Sequence, residues 1–361
     1  MELSKLFVGA MRFKNREIAV ETIRLAIDCG FNYIDTSPGY CYKDEKENSE
    51  SWVGSAVNYG DYRERAQIST KSAPGNGGLG LGGAVARNGI AVRTAAQLQE
   101  TFEQSLRRLG MDSLDWYQLW TTHTQEQFAE AMKPGGWYEG VMAERGRWKH
   151  LGITSHADSD TIISFLETGK FEAITMPLNV VNTTRLKAVD YCRKKGIIVI
   201  AMNPMAGGFL AADKRLKELA LRFLMALDGV HPLIGFSSPE EVKYAQWIEK
   251  TNGSYGKTSA EILEQVNKLI NATEPRCTAC GYCAPCPESI NVGASLSYYN
   301  VYRYMGLKAA RGAFLSKQWE DGLRLDRCTS CGLCETRCPN QLPVRSIIAD
   351  AKNVMYDKPK K

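Results

Sequence analysis

The sequence predicts an α/β fold: a (β/α)8 barrel followed by a smaller, mostly helical and loop-rich unit. Three observations carry that expectation. Residues 1 to about 250 alternate eight short β-rich runs with amphipathic segments, the pattern of strand–helix units around a parallel sheet. No Gly-x-Gly-x-x-Gly follows any of these runs, which leaves a doubly wound sheet as the weaker alternative. Eight of the eleven cysteines fall in two tight runs near the C-terminal end, setting that region apart.

Taken in order, strands are expected over residues 5–11, 31–35, 67–71, 114–119, 150–154, 173–177, 197–202 and 232–236. The helix after the first strand is the clearest. Asn15 is a good N-cap, Ile18, Ala19, Thr22, Ile23 and Ala26 line one face, and Gly30 supplies a left-handed stop. Ile197-Ile198-Val199-Ile200 is apolar throughout, as a strand covered on both faces requires. The loop after the third strand is long and glycine-rich (Gly75 to Gly83). It lacks the Gly-Lys-Ser/Thr ending of a phosphate cradle, and reads as a mobile insertion, with a lid over the barrel mouth as the sharper alternative. Residues 251–275 read as a connection containing a helix over 259–271. A further helix is expected over 296–313, between the cysteine runs, with Tyr298, Tyr299, Tyr302 and Tyr304 packing against the barrel. The domain division is 1–255 for the barrel and 256–361 for the second unit.

The runs read Cys277-x2-Cys280-x2-Cys283-x2-Cys286-Pro287 and Cys328-x2-Cys331-x2-Cys334-x3-Cys338-Pro339. Thiolate is the soft donor that iron prefers, and a Cys-x2-Cys-x2-Cys turn wraps three thiolates around one face of a cubane. In two-cluster ferredoxins the fourth Cys of each run serves the other cluster. The spacing therefore predicts two [4Fe–4S] clusters in a ferredoxin-like domain. One is assigned to Cys277, Cys280, Cys283 and Cys338, the other to Cys328, Cys331, Cys334 and Cys286. Zinc sites usually show two Cys pairs with a longer spacer, and disulfides do not suit a chain that opens without a secretory signal. Cys29, Cys41 and Cys192 read as bystanders.

The apolar fraction of 44% is ordinary for a globular protein. No apolar run approaches the roughly 18 residues of a membrane span, and Met1-Glu2-Leu3-Ser4-Lys5 lacks an export signal's design, so a cytoplasmic setting without membrane attachment is expected. The formal charge of +5 falls to about +1 once two oxidised cubanes of about −2 each are counted, so no nucleic-acid partner is expected.

Barrel chemistry belongs at the C-terminal strand ends. The second strand ends Tyr33-Ile34-Asp35-Thr36-Ser37-Pro38-Gly39-Tyr40, and the third ends Ile68-Ser69-Thr70-Lys71. A tyrosine flanked by a cation and a carboxylate makes a proton donor: the lysine lowers the phenol's pKa and the aspartate holds the lysine.

These segments resemble the aldo-keto reductase superfamily. Asp35-Thr36-Ser37-x2-Tyr40 matches its Asp-Thr-Ala-x2-Tyr signature, followed by Ser49-Glu50-x2-Val53-Gly54. Leu106-Arg107-Arg108-Leu109-Gly110, Tyr117-Gln118-Leu119, Gly152-Ile153-Thr154-Ser155, Asn203-Pro204-Met205-Ala206-Gly207-Gly208 and Gly235-Phe236-Ser237-Ser238-Pro239-Glu240 continue the likeness over about residues 5 to 250. With the cysteine runs, the chain resembles the branch carrying a C-terminal 4Fe–4S ferredoxin domain.

The resemblance implies hydride transfer between NADPH or NADH and the carbonyl of a small organic molecule. Tyr40 would be the acid, Lys71 its partner and Asp35 the lysine's anchor. Thr154 and Ser155 would lie at the nicotinamide carboxamide, joined in the cofactor site by Asn179 and Asn203, with Gly235, Ser237 and Ser238 near the ribose phosphate. The family's fourth catalytic residue, a histidine, is replaced by Trp120, and His123 three residues on is the candidate substitute. An indole N–H donates a hydrogen bond but relays no proton, and a flat residue there also suits a conjugated alkene or a stacked planar substrate. Ser237 stands where the family often has a basic residue, which removes a charge partner for a 2′-phosphate. The alternative is a ferredoxin-linked reductase, fed single electrons through the clusters by an electron-transfer protein, with flavin as its cofactor.

Overall fold

The structure, a computed structural model, describes residues 1–72, 94–120, 122–270, 276–306, 308–317 and 322–356. Eight parallel strands close a barrel: β1 (Phe7–Gly9), β2 (Tyr33–Asp35), β3 (Gln67–Lys71), β4 (Leu114–Leu119), β5 (Trp148–Thr154), β6 (Ala173–Pro177), β7 (Ile198–Met202) and β8 (Val230–Gly235). β1 pairs with both β2 and β8, which completes the ring. β3, β4 and β6 match their expected bounds. β1 and β2 begin later than expected because side chains take over from the ladder there. The Ser4 amide donates to Asn32 Oδ1 at 2.8 Å, and the Asn32 amide to Ser4 Oγ at 3.0 Å.

The helix Arg16–Asp28 starts where Asn15 Oδ1 accepts from the Ile18 amide at 3.0 Å, and Gly30, at φ 95°, ends the turn. It buries Ala19, Thr22, Ile23 and Ala26 against the barrel. The lower barrel interior is filled by Phe7, Tyr33, Trp116, Ala173, Ile200 and Leu233, with Phe7 stacked on Tyr33 at 4.1 Å. Above this apolar layer the register sets Asp35 beside Ser69 and Lys71 beside Gln118, so the upper layer is polar and buried.

The sequence division at residue 255 places the helix Ser259–Leu269 with the second unit; in the structure Ile262, Val266 and Ile270 lie in the barrel's core cluster. The single helix expected over 296–313 is two, Val292–Met305 and Lys308–Lys317, because Gly306 takes a left-handed φ of 66° and caps the first. Leu296, Tyr299, Phe314, Ile348, Ala351 and Met355 form a separate small core. Of the four tyrosines expected on the barrel, Tyr304 does face it, against Phe209 at 6.3 Å, whereas Tyr298, Tyr299 and Tyr302 pack within this second core. Among the described residues no helix is long and apolar enough to cross a membrane. The glycine-rich stretch 75–83 lies outside the described residues.

Candidate active site

Asp35 and Lys71 meet at the C-terminal rim of the barrel. Lys71 Nζ donates to Asp35 Oδ2 at 2.5 Å and to the Thr36 carbonyl at 2.8 Å. Gln118 Nε2 donates to Asp35 Oδ1 at 3.0 Å and to Ser69 Oγ at 2.9 Å, while its own oxygen accepts from Thr175 at 2.6 Å. Both members of the pair are 2% exposed. Burial pushes the Asp35 carboxyl up and the Lys71 ammonium down, and each charge holds the other back. A second buried pair braces the wall: Arg108 Nε reaches Glu50 at 2.7 Å, and Glu50 also accepts from Thr70. These are the Ser-Glu and Leu-Arg-Arg-Leu-Gly residues of the resemblance, and they tie the helices Ser49–Val57 and Ala95–Leu109 to β3.

The Tyr40 ring lies over this pair, its centroid 5.1 Å from Lys71 Nζ. Burial raises the phenol well above its ordinary value, with Asp35, Tyr282 and Cys41 adding to the shift. The lowering expected from Lys71 is therefore not found in this arrangement. The ammonium is spent on Asp35 and Thr36 and meets the face of the ring. Cys41 follows in a left-handed turn (φ 52°), its thiol 3.4 Å from the Met11 carbonyl.

Trp120, at the end of β4, meets Tyr40 edge-on at 5.8 Å. His123, the candidate substitute for the family's histidine, lies in the loop after β4. It is half-buried, its ring 5.2 Å from His156 and 4.9 Å from Tyr282. The His156 amide donates to His123 Nδ1 at 3.0 Å, which places the neutral ring's proton on Nε2. Burial lowers the His123 pKa to about 4. No hydrogen bond or ring contact joins His123 to Asp35, Tyr40 or Lys71 among the described residues.

The residues expected around a nicotinamide nucleotide divide into two groups. Thr154 and Ser155 lie buried at the end of β5, Ser155 Oγ accepting from the Ala157 amide. The others are engaged elsewhere. Asn179 Nδ2 donates to the Asn203 carbonyl at 3.0 Å, and Asn203 Nδ2 to the Thr278 carbonyl, also at 3.0 Å. Ser237 donates through both its amide (2.8 Å) and its hydroxyl (3.0 Å) to the Glu241 carboxylate, beside the Ser238 N-cap. Gly235 is close-packed: a Cβ built there would stand 2.9 Å from Arg12 Cδ.

The cysteine runs fold into matching turns. Ala279 and Ser330 take φ of 51° and 59°, Gly281 and Gly332 take 83° and 80°, and Ser289 and Gln341 take 55° and 51°. In each turn an amide points at the first sulfur, Ala279 to Cys277 and Ser330 to Cys328, both at 3.4 Å. Cys277 lies within electrostatic reach of Cys280, Cys283 and Cys338, and Cys334 within reach of Cys328, Cys331 and Cys286, with Cys283 also close to Cys334. A small cavity lies among Cys283, Cys286, Cys328, Cys331 and Cys334, walled by Ile290 and Ile348. Burial and mutual repulsion push the Cys277, Cys280, Cys283 and Cys334 thiols up, so holding them as thiolates takes bound cations. Among the described residues the thiols do not close into a ready-made metal-binding group, but matching turns, amides aimed at sulfur and a cavity between the two runs suit cubane clusters.

Compared with known proteins, residues 5–218 match the family model described as Aldo/keto reductase family. This chain belongs to that family. Residues 276–343 of this aldo/keto reductase match a 4Fe-4S dicluster domain. Among curated relatives, the NADH-specific methylglyoxal reductase of Escherichia coli is 27% identical over 200 residues, 54% of this chain and 59% of that protein. Aldo-keto reductase YhdN of Bacillus subtilis is 27% identical over 202 residues, 54% of each chain. The chain thus spans roughly half to two thirds of the length of the curated relatives it matches. A Klebsiella pneumoniae aldo-keto reductase solved in complex with NADPH shares the fold at TM-score 0.56 and 20% identity, over 76% of this chain and 93% of that one. The holo form of a Bacillus halodurans aldo-keto reductase does so at TM-score 0.58 and 20% identity, over 77% and 94%. The chain thus joins an aldo/keto reductase family region to a region matching a 4Fe-4S dicluster domain.

Sequence reasoning about this aldo/keto reductase missed Tyr282, His156 and Arg185. Tyr282 comes from the first cysteine run yet packs on His156 at 4.3 Å. Arg185 Nη2 donates to the His156 carbonyl at 2.5 Å and reaches Asn340 of the second run at 3.4 Å. One signal was available. The two runs are alike in Cys-Thr-x-Cys-Gly-x-Cys except that the second x, Leu333 in the second run, is Tyr282 in the first.

Proposed function

We propose that this reductase acts on a carbonyl or conjugated organic substrate at the barrel mouth, with Tyr40 delivering the proton. The observation that carries this is the placement of Tyr40 beside a buried Lys71–Asp35 pair on the rim. Tyr40 stays a neutral phenol near pH 7 and so holds the proton until negative charge builds on the substrate oxygen. Lys71, fixed 5.1 Å from the ring centre, then stabilises the phenolate left behind. Asp35, itself oriented by Gln118, keeps the ammonium from turning away. Trp120 offers a flat wall for a planar substrate.

A nicotinamide nucleotide, when bound, supplies a hydride. Thr154 and Ser155 suit its carboxamide end, while Glu241 on Ser237 opposes a 2′-phosphate, so NADH is favoured over NADPH. The eight cysteines of the two runs hold two [4Fe–4S] clusters, which when bound supply single electrons. A second reading, reduction by one-electron input from an electron-transfer protein, without nicotinamide hydride transfer and with or without flavin, is favoured by one observation: the first cysteine run sits on Asn203, a residue expected at the nucleotide.

Anaerobic holo-protein tests both. NADH- or NADPH-dependent reduction of methylglyoxal and a conjugated enone is compared with reduction driven by a dithionite-reduced viologen. Tyr40→Phe is expected to lose at least about 10²-fold in kcat with cluster absorbance intact. Wild-type turnover in that variant removes Tyr40 from the mechanism.

A further inference from the structure

Arg185 is a buried cation whose hydrogen-bond partners are all neutral. It is 2% exposed and stands just before the helix Leu186–Lys195, whose dipole disfavours positive charge at that end. Nε donates to the Ala157 carbonyl at 2.8 Å. Nη1 donates to Asn182 Oδ1 at 3.5 Å and Thr184 Oγ1 at 3.4 Å. Nη2 donates to the His156 carbonyl at 2.5 Å and Asn340 Oδ1 at 3.4 Å. Among the described residues no carboxylate forms an ion pair with it. Asp158, whose charge does reach it, spends its carboxylate on the Asp160 and Thr161 amides and the Thr161 hydroxyl. Burial lowers the Arg185 pKa to about 10, so the guanidinium stays charged at neutral pH. A charge taken out of water is costly unless an opposite charge compensates it. The arginines about the second cysteine run have that compensation: Arg345 lies 3.0 Å from Glu335, and Arg324 2.6 Å from Asp326.

The contacts of Arg185 lead to the first set of thiols from two sides. Asn340, two residues after Cys338, accepts from Arg185 and donates through Nδ2 to Thr278 Oγ1 at 3.4 Å; Thr278 follows Cys277. One amide side chain thus links the guanidinium to both chain segments that supply Cys277, Cys280, Cys283 and Cys338. On the other side, the His156 ring packs at 4.3 Å on Tyr282, which lies between Cys280 and Cys283.

We propose that Arg185, a barrel residue, is the counter-charge of the cluster held by Cys277, Cys280, Cys283 and Cys338, and that it raises that cluster's reduction potential. This rests on the two-cluster reading above. With four thiolates, an oxidised [4Fe–4S] carries about −2 and its one-electron-reduced form about −3. A fixed cation favours the more negative form and makes the reduction easier. Burial acts in the opposite sense, since a low dielectric disfavours added charge, and Arg185 offsets it. The barrel thereby sets how readily the cluster docked on it takes up an electron.

The test is a redox titration of anaerobic full-length holo-protein followed by electron paramagnetic resonance, the first set's signal being identified by its loss in Cys277→Ala. In Arg185→Gln the reduced-to-oxidised ratio of that cluster at a fixed ambient potential is expected to fall at least about tenfold, which for one electron is about 59 mV. The other cluster is expected to change less than about twofold, being farther from the charge. Arg185→Lys keeps the charge without the planar fork and is expected to stay within about threefold of wild type. An unchanged ratio in Arg185→Gln, or an Arg185→Lys as low as Arg185→Gln, overturns the proposal and leaves the two-cluster reading standing. If Arg185→Gln does not fold, Asn340→Asp carries the test by giving the guanidinium a carboxylate: the ratio is expected to fall, and an unchanged ratio overturns the proposal. Wild-type protein that binds no [4Fe–4S] cluster sinks the two-cluster reading and this proposal together.

Discussion

Replacing Lys71 by Met isolates the energetics of the rim. The substitution keeps the length and apolar stem of the side chain and removes the ammonium. Asp35, 1% exposed, loses its 2.5 Å partner and retains the Gln118 amide at 3.0 Å. Breaking a buried pair from one side leaves an uncompensated charge and costs about 3–5 kcal/mol, whereas replacing both partners by apolar groups is often close to neutral. Asp35→Leu with Lys71→Met is therefore expected to cost about 0–2 kcal/mol. The coupling between the sites then exceeds about 2 kcal/mol, well above the ~0.5 kcal/mol within which independent sites add. Urea unfolding of anaerobic holo-protein, followed by circular dichroism, measures all four corners of the cycle. The pH dependence gives a further check. In Lys71→Met the stranded carboxyl has a folded-state pKa above its unfolded value near 3.9. Its destabilisation therefore grows as pH rises through that window and shrinks as pH falls below it. A double variant as unstable as the two singles summed, or a Lys71→Met cost under about 1 kcal/mol, would refute this account of the rim.

Other perturbations reach the neighbouring features. With its folded pKa lowered to about 4 by burial, His123 should stay neutral as pH falls from 8 to 5.5; an NMR titration, assigned with His123→Gln, should show no midpoint in that range. Glu241→Gln removes the carboxylate that fills the Ser237 amide and hydroxyl, and is expected to raise affinity for NADPH several-fold while leaving NADH nearly unchanged, measured by fluorescence titration. Cys338→Ala should damage the cluster shared with Cys277, Cys280 and Cys283 and spare the other, as read by electron paramagnetic resonance; loss of the other cluster would reverse the crossed assignment. Gly207→Ala drives a methyl into Ala279 and Thr278 at a φ of 69°, and should hasten iron release to a chelator from the first set before the second.

The barrel was legible because its strands carry their own signals. The runs that became β3, β4 and β6 match their expected limits. The ends of β1 and β2 were misplaced where Ser4 and Asn32 satisfy one another's amides, a pairing across 28 residues that no local pattern reveals. Asp35 and Lys71 lie at the ends of the adjacent strands β2 and β3, and Tyr40 in the loop directly after β2, so strand pairing and a short loop bring them together. Tyr282 was hidden for the opposite reason. It reaches His123 and His156 through the docking of two domains, and its run of four cysteines has a sufficient explanation in metal binding. The tyrosine looked like filler between ligands.

That docking places competing demands on one short turn. Asn203 sits in a left-handed conformation (φ 59°), with its Oδ1 accepting from the Gly207 amide at 2.6 Å and its Nδ2 committed to Thr278. If a nucleotide uses Asn203 as the resemblance implies, the Thr278 turn must give up that bond, and Tyr282 moves with it. If the turn stays latched, Tyr282 remains against His123 and His156 and the nucleotide loses the Asn203 contact. Each polar end of the Asn203 amide already has one partner, so a nucleotide there shares or competes for that side chain with the Thr278 turn. The β7 loop is thus the place where nicotinamide chemistry and iron–sulfur docking are in direct opposition.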